Sequence, residues 1–161
     1  MQAVSSPLKQ SEIRPQGLNS LIVKKLNKAT QRSTHLRYQT GCVIADKRGD
    51  VIASGCSHSS SHRLNELHSI HAEIHALGRG RYLDLTDCTA YIKTVARKSG
   101  NLVYSAPCLT CAIALYNAGI KQVVFSTGGT MDSWCEHMVD WLINESDLKV
   151  YPRRNNVRKR I

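Results

Sequence analysis

Ser69-Ile70-His71-Ala72-Glu73-Ile74-His75-Ala76-Leu77-Gly78 and, further on, Pro107-Cys108-Leu109-Thr110-Cys111 are the stretches on which the reading of this chain turns. The first reads as a helix that Gly78 stops. His71 and Glu73 then fall in its first turn, where the helix dipole favours an acidic side chain. In the second, the proline suits a first helical turn, and Cys108 and Cys111 lie one turn apart on the same face. Together the two segments offer one imidazole and two thiolates. Three such ligands hold zinc and leave one tetrahedral position for water, whose pKa the ion lowers toward neutrality. Glu73, two residues after the histidine, is placed to carry protons without joining the ligand set. A structural zinc closes its sphere with four protein ligands and has no use for that carboxylate. A noncatalytic zinc-containing nucleic-acid-binding module is therefore the weaker reading.

Outward from these segments, residues 18–34 place Leu18, Leu21, Ile22 and Leu26 at helical spacing under a Lys/Arg-rich outer face. Residues 41–45 and 51–55 are short strand-like runs joined by a Gly-containing turn. The Ser/His-rich run 57–67 reads as a loop over the site. Residues 89–96 alternate as a strand does, and 122–126 form a buried-type strand. Gly119 suits the position just past the end of the helix that Pro107 opens. Asp132 is expected to cap a helix reaching about residue 144, with Trp134, Met138, Trp141 and Leu142 on one face. The order α-β-β-α-β-α-β-α predicts an α/β domain, a three-layer α/β/α sandwich with a mixed, roughly five-stranded sheet.

A chain of 161 residues is long enough for one domain with a real core. Its organisation reads as a flexible N-terminal segment (1–17), one domain (18–151) and a basic C-terminal tail (152–161). The N-terminal segment is polar, contains Pro7 and Pro15 and has no apolar core of a signal peptide, so a cytoplasmic location is expected. No apolar run has membrane-spanning length, and no membrane association is expected. Cys42, Cys56, Cys88 and Cys135 lie outside the metal motif and are expected to be reduced and buried. A second zinc drawing on them with His58, His62 or His68 has no tight ligand spacing behind it. The net charge is +10, and the tail holds Arg153, Arg154, Arg158, Lys159 and Arg160 with no acids. Such a balance favours a phosphate-bearing partner, nucleotide or polynucleotide; the tail alone also reads as a solvated end. Arg79 and Arg81 after the first motif helix read either as a phosphate clamp or as solvated helix-end charges.

The pattern His71-Ala72-Glu73…Pro107-Cys108-Leu109-Thr110-Cys111 resembles the zinc-dependent cytidine/deoxycytidylate deaminase superfamily. The resemblance runs from about residue 18 to 127. Thr40-Gly41-Cys42-Val43-Ile44 is similar to the family's first strand, which lines the base pocket. Ala118-Gly119-Ile120 and the strand after it also agree. The resemblance implies the cytidine deaminase-like fold, Zn2+ held by His71, Cys108 and Cys111, and Glu73 as the catalytic acid/base. It sets the backbone near Ala72 and the Ser105-Ala106 segment against the amide-like edge of the base. Ser57 stands near the place of a family asparagine that contacts the sugar, and His75 stands where relatives often have asparagine, which makes both candidate substrate contacts. The implied reaction is hydrolytic deamination of a cytosine nucleotide, first dCMP to dUMP with release of ammonia. The alternative is a cytosine or adenine base within RNA or single-stranded DNA. A homo-oligomer is implied as well. Between the third strand and Pro107 the chain adds residues 97–101 and then 102–105, which read as an extra hairpin beside the site.

Overall fold

The computed structural model describes residues 17–59, 69–128 and 133–145. The expectations for the N-terminal segment, the basic tail, His62, His68 and the Asp132 cap lie outside the described residues. Helix α1 (Ser20–Gln31) starts at Asn19, whose Oδ1 accepts the Ile22 N–H at 2.9 Å, and it buries Ile22, Leu26 and Ala29. Strands β1 (Tyr38–Ala45) and β2 (Val51–Cys56) form an antiparallel hairpin. The two-residue strands β3 (His58–Ser59) and β4 (Ser69–Ile70) pair with each other, and β4 leads directly into α2 (Ala72–Arg79). Strand β5 (Thr89–Ala96) lies antiparallel to β1 along its whole length. A short β6 (Leu102–Val103) folds back onto the end of β5, so residues 97–101 form the turn of a true hairpin. Helix α3 (Leu109–Asn117) then crosses over to β7 (Gln122–Ser126), which runs parallel to β5. Gly119, at φ +94°, supplies the left-handed residue that ends α3.

The main sheet has the order β2-β1-β5-β7-β8, with β6 appended to β5. Its mixed character follows from the connections: tight turns give antiparallel neighbours, and the α3 crossover gives the parallel pair. Alternate residues serve opposite faces. Val43, Tyr91 and Val124 pack with Ile22 and Leu26 of α1. Ile44, Ile92 and Phe125 pack with Ala76 of α2, Leu115 of α3 and Leu142 of α4 (Val139–Glu145). The three-layer sandwich expected from the sequence is therefore present.

The helix expected from residue 132 to about 144 is not. Residues Trp134–Met138 form strand β8, antiparallel to β7, and the helix begins only at Val139. Apolar residues at 134, 138, 141 and 142 fit a helical period, but the partner that decides is β7, whose free edge takes up this segment. Trp134 then goes to the α1 side of the sheet and Cys135 to the other, as successive strand residues must.

Strands β5 and β7 stay paired only as far as Ile92 and Phe125. Beyond that point they part, and hydroxyl groups fill the opening. Ser105 donates its N–H to the Ser126 carbonyl, and its Oγ lies 2.8 Å from Ser126 Oγ and 3.1 Å from the Ile92 carbonyl oxygen. Ser126 Oγ in turn accepts from the Thr94 N–H and donates to the Val103 carbonyl. This knot holds the segment that enters α3, and with it Cys108.

Candidate active site

Both metal-ligand motifs sit at helix N-caps. His71 caps α2 with extended backbone (φ −69°, ψ 149°), and its imidazole makes no capping hydrogen bond. Cys108 caps α3, and its sulfur accepts the Cys111 N–H. His71 Nδ1 lies 3.3 Å from Cys111 Sγ and 3.7 Å from Cys108 Sγ, and the three donor atoms lie within 4.8 Å of one another. Zinc bound tetrahedrally, at about 2.3 Å to sulfur and 2.0–2.1 Å to nitrogen, holds such atoms about 3.6 Å apart. The observed spacings bracket that value, and two sulfurs with one imidazole are a zinc donor set, so the residues present fit the ion.

The sulfurs are electrostatically unequal. Hydrogen bonding from Cys111, then from His71, holds the Cys108 thiol down to about 4, while the same shared proton and burial push Cys111 up. The N-terminal ends of α2 and α3 add their positive poles to this region and favour thiolate there. Hydrogen bonding to Cys108 keeps the His71 imidazole above its ordinary value, against the effect of burial.

Glu73 is 5% exposed. Burial raises its carboxyl above the usual carboxylate range, opposed by a backbone hydrogen bond and the neighbouring His71. Its charge also bears on Cys108, Cys111 and Cys42. Cys42, on the strand expected to line the base pocket, is fully buried, and its thiol is raised by burial and by the charge of Glu73. The helix that carries His71 and Glu73 lies almost backbone to backbone on β2. A Cβ added at Gly55 would stand 2.4 Å from the Ala76 nitrogen and 2.7 Å from the Ala72 carbonyl oxygen, so only glycine admits this approach.

The other residues named from the sequence divide. Ala72 is fully buried in the first turn of α2. Ala106 packs at the margin of the core just before Pro107. Ser105 turns its hydroxyl into the sheet, toward Ser126 and Ile92. Ser57 is buried, and its hydroxyl is engaged by Ser33 Oγ at 2.7 Å and by the Thr40 N–H at 3.3 Å. His75 keeps its Nδ1 on the backbone of Cys56 and its ring edge-on to His58, with centroids 4.4 Å apart. The structure thus brings His71, Glu73, Cys108 and Cys111 together, and it occupies the side chains of Ser57, Ser105 and His75 with protein partners. Arg81 donates to the Gly78 carbonyl and lies over the Tyr82 ring, as a helix-end charge.

An α/β/α sandwich that presents one histidine and two cysteines from the starts of two helices, with a buried carboxylate in the first turn of one of them, defines a metal-binding domain of cytidine deaminase type. The chain belongs to the cytidine and deoxycytidylate deaminase zinc-binding family, whose pattern it matches over residues 18–127. The deoxycytidylate deaminase of Schizosaccharomyces pombe is 29% identical over 146 residues, covering 78% of this chain and 42% of that protein. The chain thus spans about two-fifths of that relative's length. Among solved structures, the cytidine deaminase of Burkholderia pseudomallei superposes with a TM-score of 0.57 at 14% identity, over 78% of this chain and 96% of that one. The dCMP deaminase of cyanophage S-TIM5, in complex with dCMP and dUMP, gives 0.53 at 15% identity, over 71% and 85%. At these identities the two superpositions establish the shared fold. No helix among the described residues is long and apolar enough to cross a membrane.

Proposed function

We propose that this domain is a zinc-dependent hydrolytic deaminase that converts dCMP and water to dUMP and ammonia. The observation that carries the reading is the convergence of His71, Cys108 and Cys111, with the buried Glu73 two residues beyond His71 on α2. The name of the S. pombe relative supports the choice of substrate. In this reading His71, Cys108 and Cys111 hold the zinc. The ion supplies an activated water at neutral pH. Glu73 takes a proton from the attacking water and passes it to the ring nitrogen as the new C–O bond forms at the amine-bearing carbon. It then takes the remaining proton from the hydroxyl now on that carbon and delivers it to the amine, so that the C–N bond breaks, the carbonyl forms and ammonia leaves. Burial suits a carboxyl for this task, because a raised pKa makes it a better proton acceptor than a solvated carboxylate. The backbone of Ala72 and of the Ser105-Ala106 segment faces the amide-like edge of the base, in a pocket floored by β1.

A base within RNA or single-stranded DNA is the second reading, and one observation favours it. Leu36, Arg37, Tyr38 and Lys98 surround an open hollow at the end of β1 and β5. Basic and aromatic side chains of that kind suit a strand. Self-association is part of the proposal, supported by Ile74 of α2 with Ile113 and Tyr116 of α3, apolar side chains left exposed on the helical face.

The experiment incubates zinc-loaded protein and Glu73→Ala with dCMP, cytidine and short single-stranded RNA and DNA, and reads product by mass. The expected result is one zinc per chain in both proteins, conversion of dCMP by the wild type, and a rate about 10²–10⁴-fold lower in the variant. Conversion confined to oligonucleotides, falling steeply with salt, would move the assignment to the second reading. Equal rates with and without Glu73 would overturn both.

A further inference from the structure

Away from the His71 cluster, a cavity of about 120 Å³ opens at the edge of the sheet, between α1 and α2 and against the Ser54–Cys56 end of β2. Lys25, Lys28 and Arg32 reach it from one side of α1, and Arg79 reaches it from the end of α2; Cys56 and His75 complete the wall. No carboxylate lines it. None of the four cations makes an ion pair among the described residues. Four like charges facing one small space repel one another, and an anion seated among them relieves that repulsion.

Two residues of that wall, Cys56 and His75, also lie beside His58, which does not line the cavity, and this invites a different reading. Cys56, His58 and His75 bring one thiol and two imidazoles within 4.8 Å of one another, a set that by itself would suit a soft divalent cation. The surrounding charge decides between the two. A divalent ion there would add to four uncompensated positive charges, whereas an anion would be held by two guanidinium forks and two ammonium groups. Size narrows the anion. The cavity has room for about four waters, and pockets that enclose a whole small-molecule ligand measure roughly 300–1,000 Å³. A continuous nucleic-acid strand needs an open track rather than a notch.

We propose that this notch is an anion site that takes a single phosphate group, either free phosphate or the terminal phosphate of a small molecule, in addition to any substrate bound near Glu73. None of His71, Glu73, Cys108 and Cys111 lines the notch, so the inference stands or falls apart from the deaminase reading.

The test is calorimetric titration of the zinc-loaded full chain at low ionic strength with inorganic phosphate, ribose 5-phosphate and ribose. One phosphate per chain is expected. Lys28→Gln and Arg79→Gln, both at exposed positions, should each weaken it at least about tenfold, the scale of one charge-assisted contact. Lys121→Gln, remote from the notch, should leave it unchanged. Ribose 5-phosphate binding as well as phosphate, with ribose silent, identifies a terminal phosphate as the source; phosphate binding alone identifies the free anion. Three results overturn the proposal: no saturable phosphate binding, binding that survives both Lys28→Gln and Arg79→Gln, or a second equivalent of cobalt(II) whose thiolate absorption disappears in Cys56→Ser. The last would make the notch a cation site.

Discussion

Gly55→Ala tests whether the backbone contact between β2 and α2 sets the position of the site. The added methyl would meet the Ala76 nitrogen at 2.4 Å, the Ala72 carbonyl oxygen at 2.7 Å and the His75 carbonyl carbon at 2.9 Å, all main-chain atoms that no rotamer can move. Ordinary carbon contacts begin near 3.4 Å, so α2 must retreat by about 1 Å or β2 must bend away from it. Overpacking of this kind costs about 1–3 kcal/mol. For a chain of this size that corresponds to a fall in Tm of roughly 3–10 °C. The larger effect is expected at the site. His71 and Glu73 ride on the first turn of α2 while Cys108 and Cys111 ride on α3, so a 1 Å shift separates the halves of one constellation. Misplacement on that scale can reduce turnover about 100-fold. Calorimetric melting, zinc content by mass spectrometry and the deamination rate on the same preparation give the three readouts. A Gly55→Ala protein that melts within 1 °C of wild type and keeps its rate would refute the claim that this contact positions the site.

Other expectations rest on the hydrogen-bond network and on burial. Ser126→Ala strips the fully buried knot of a hydroxyl that serves Ser105, Thr94 and Val103; leaving such groups unmatched should cost about 1–3 kcal/mol, and an unchanged melting curve would show that the knot contributes nothing. Burial holds the His137 imidazole below its ordinary value. As pH falls, the unfolded chain therefore takes up that proton first: this share of stability is intact above about pH 6.5 and is lost as pH drops through the lowered folded value. His137→Gln should melt with a shallower loss between pH 7.5 and 5, and identical slopes in the two proteins would rule this out.

The parts of the fold that were legible in the sequence are those whose partners are implied by local pattern. Strand β5 runs over residues 89–96, as its alternation predicts, β7 runs over 122–126, as its continuous buried-type run predicts, and α1 buries the Ile22–Leu26 stripe that its period marks. The metal-binding set was legible because two helix starts each carry their ligands within a few residues. Strand β8 was not, because its apolar spacing fits a helical period and only the free edge of β7 draws it into the sheet. The side-chain commitments of Ser57 and Ser105 were not legible either. Ser57 answers to Ser33, 24 residues away, and Ser105 to Ser126, 21 residues away. The cations of the notch belong to two helices that no sequence window contains together, although the basic face of α1 was visible.

The knot at Ser105 and Ser126 also bears on how this chain tolerates change. Strand β6 is attached to β5 by two strand pairs, Thr94–Val103 and Val95–Leu102, and the turn between them at residues 97–101 is exposed. Arg97 is anchored to the carbonyls of Ser33 and His35, whereas Gly100 has open space around it. Because Ser105 re-enters the sheet before Pro107, the length of the turn does not propagate to Cys108. Residues 98–100 are therefore a place where a peptide can be grafted while the geometry of the metal ligands stays as it is.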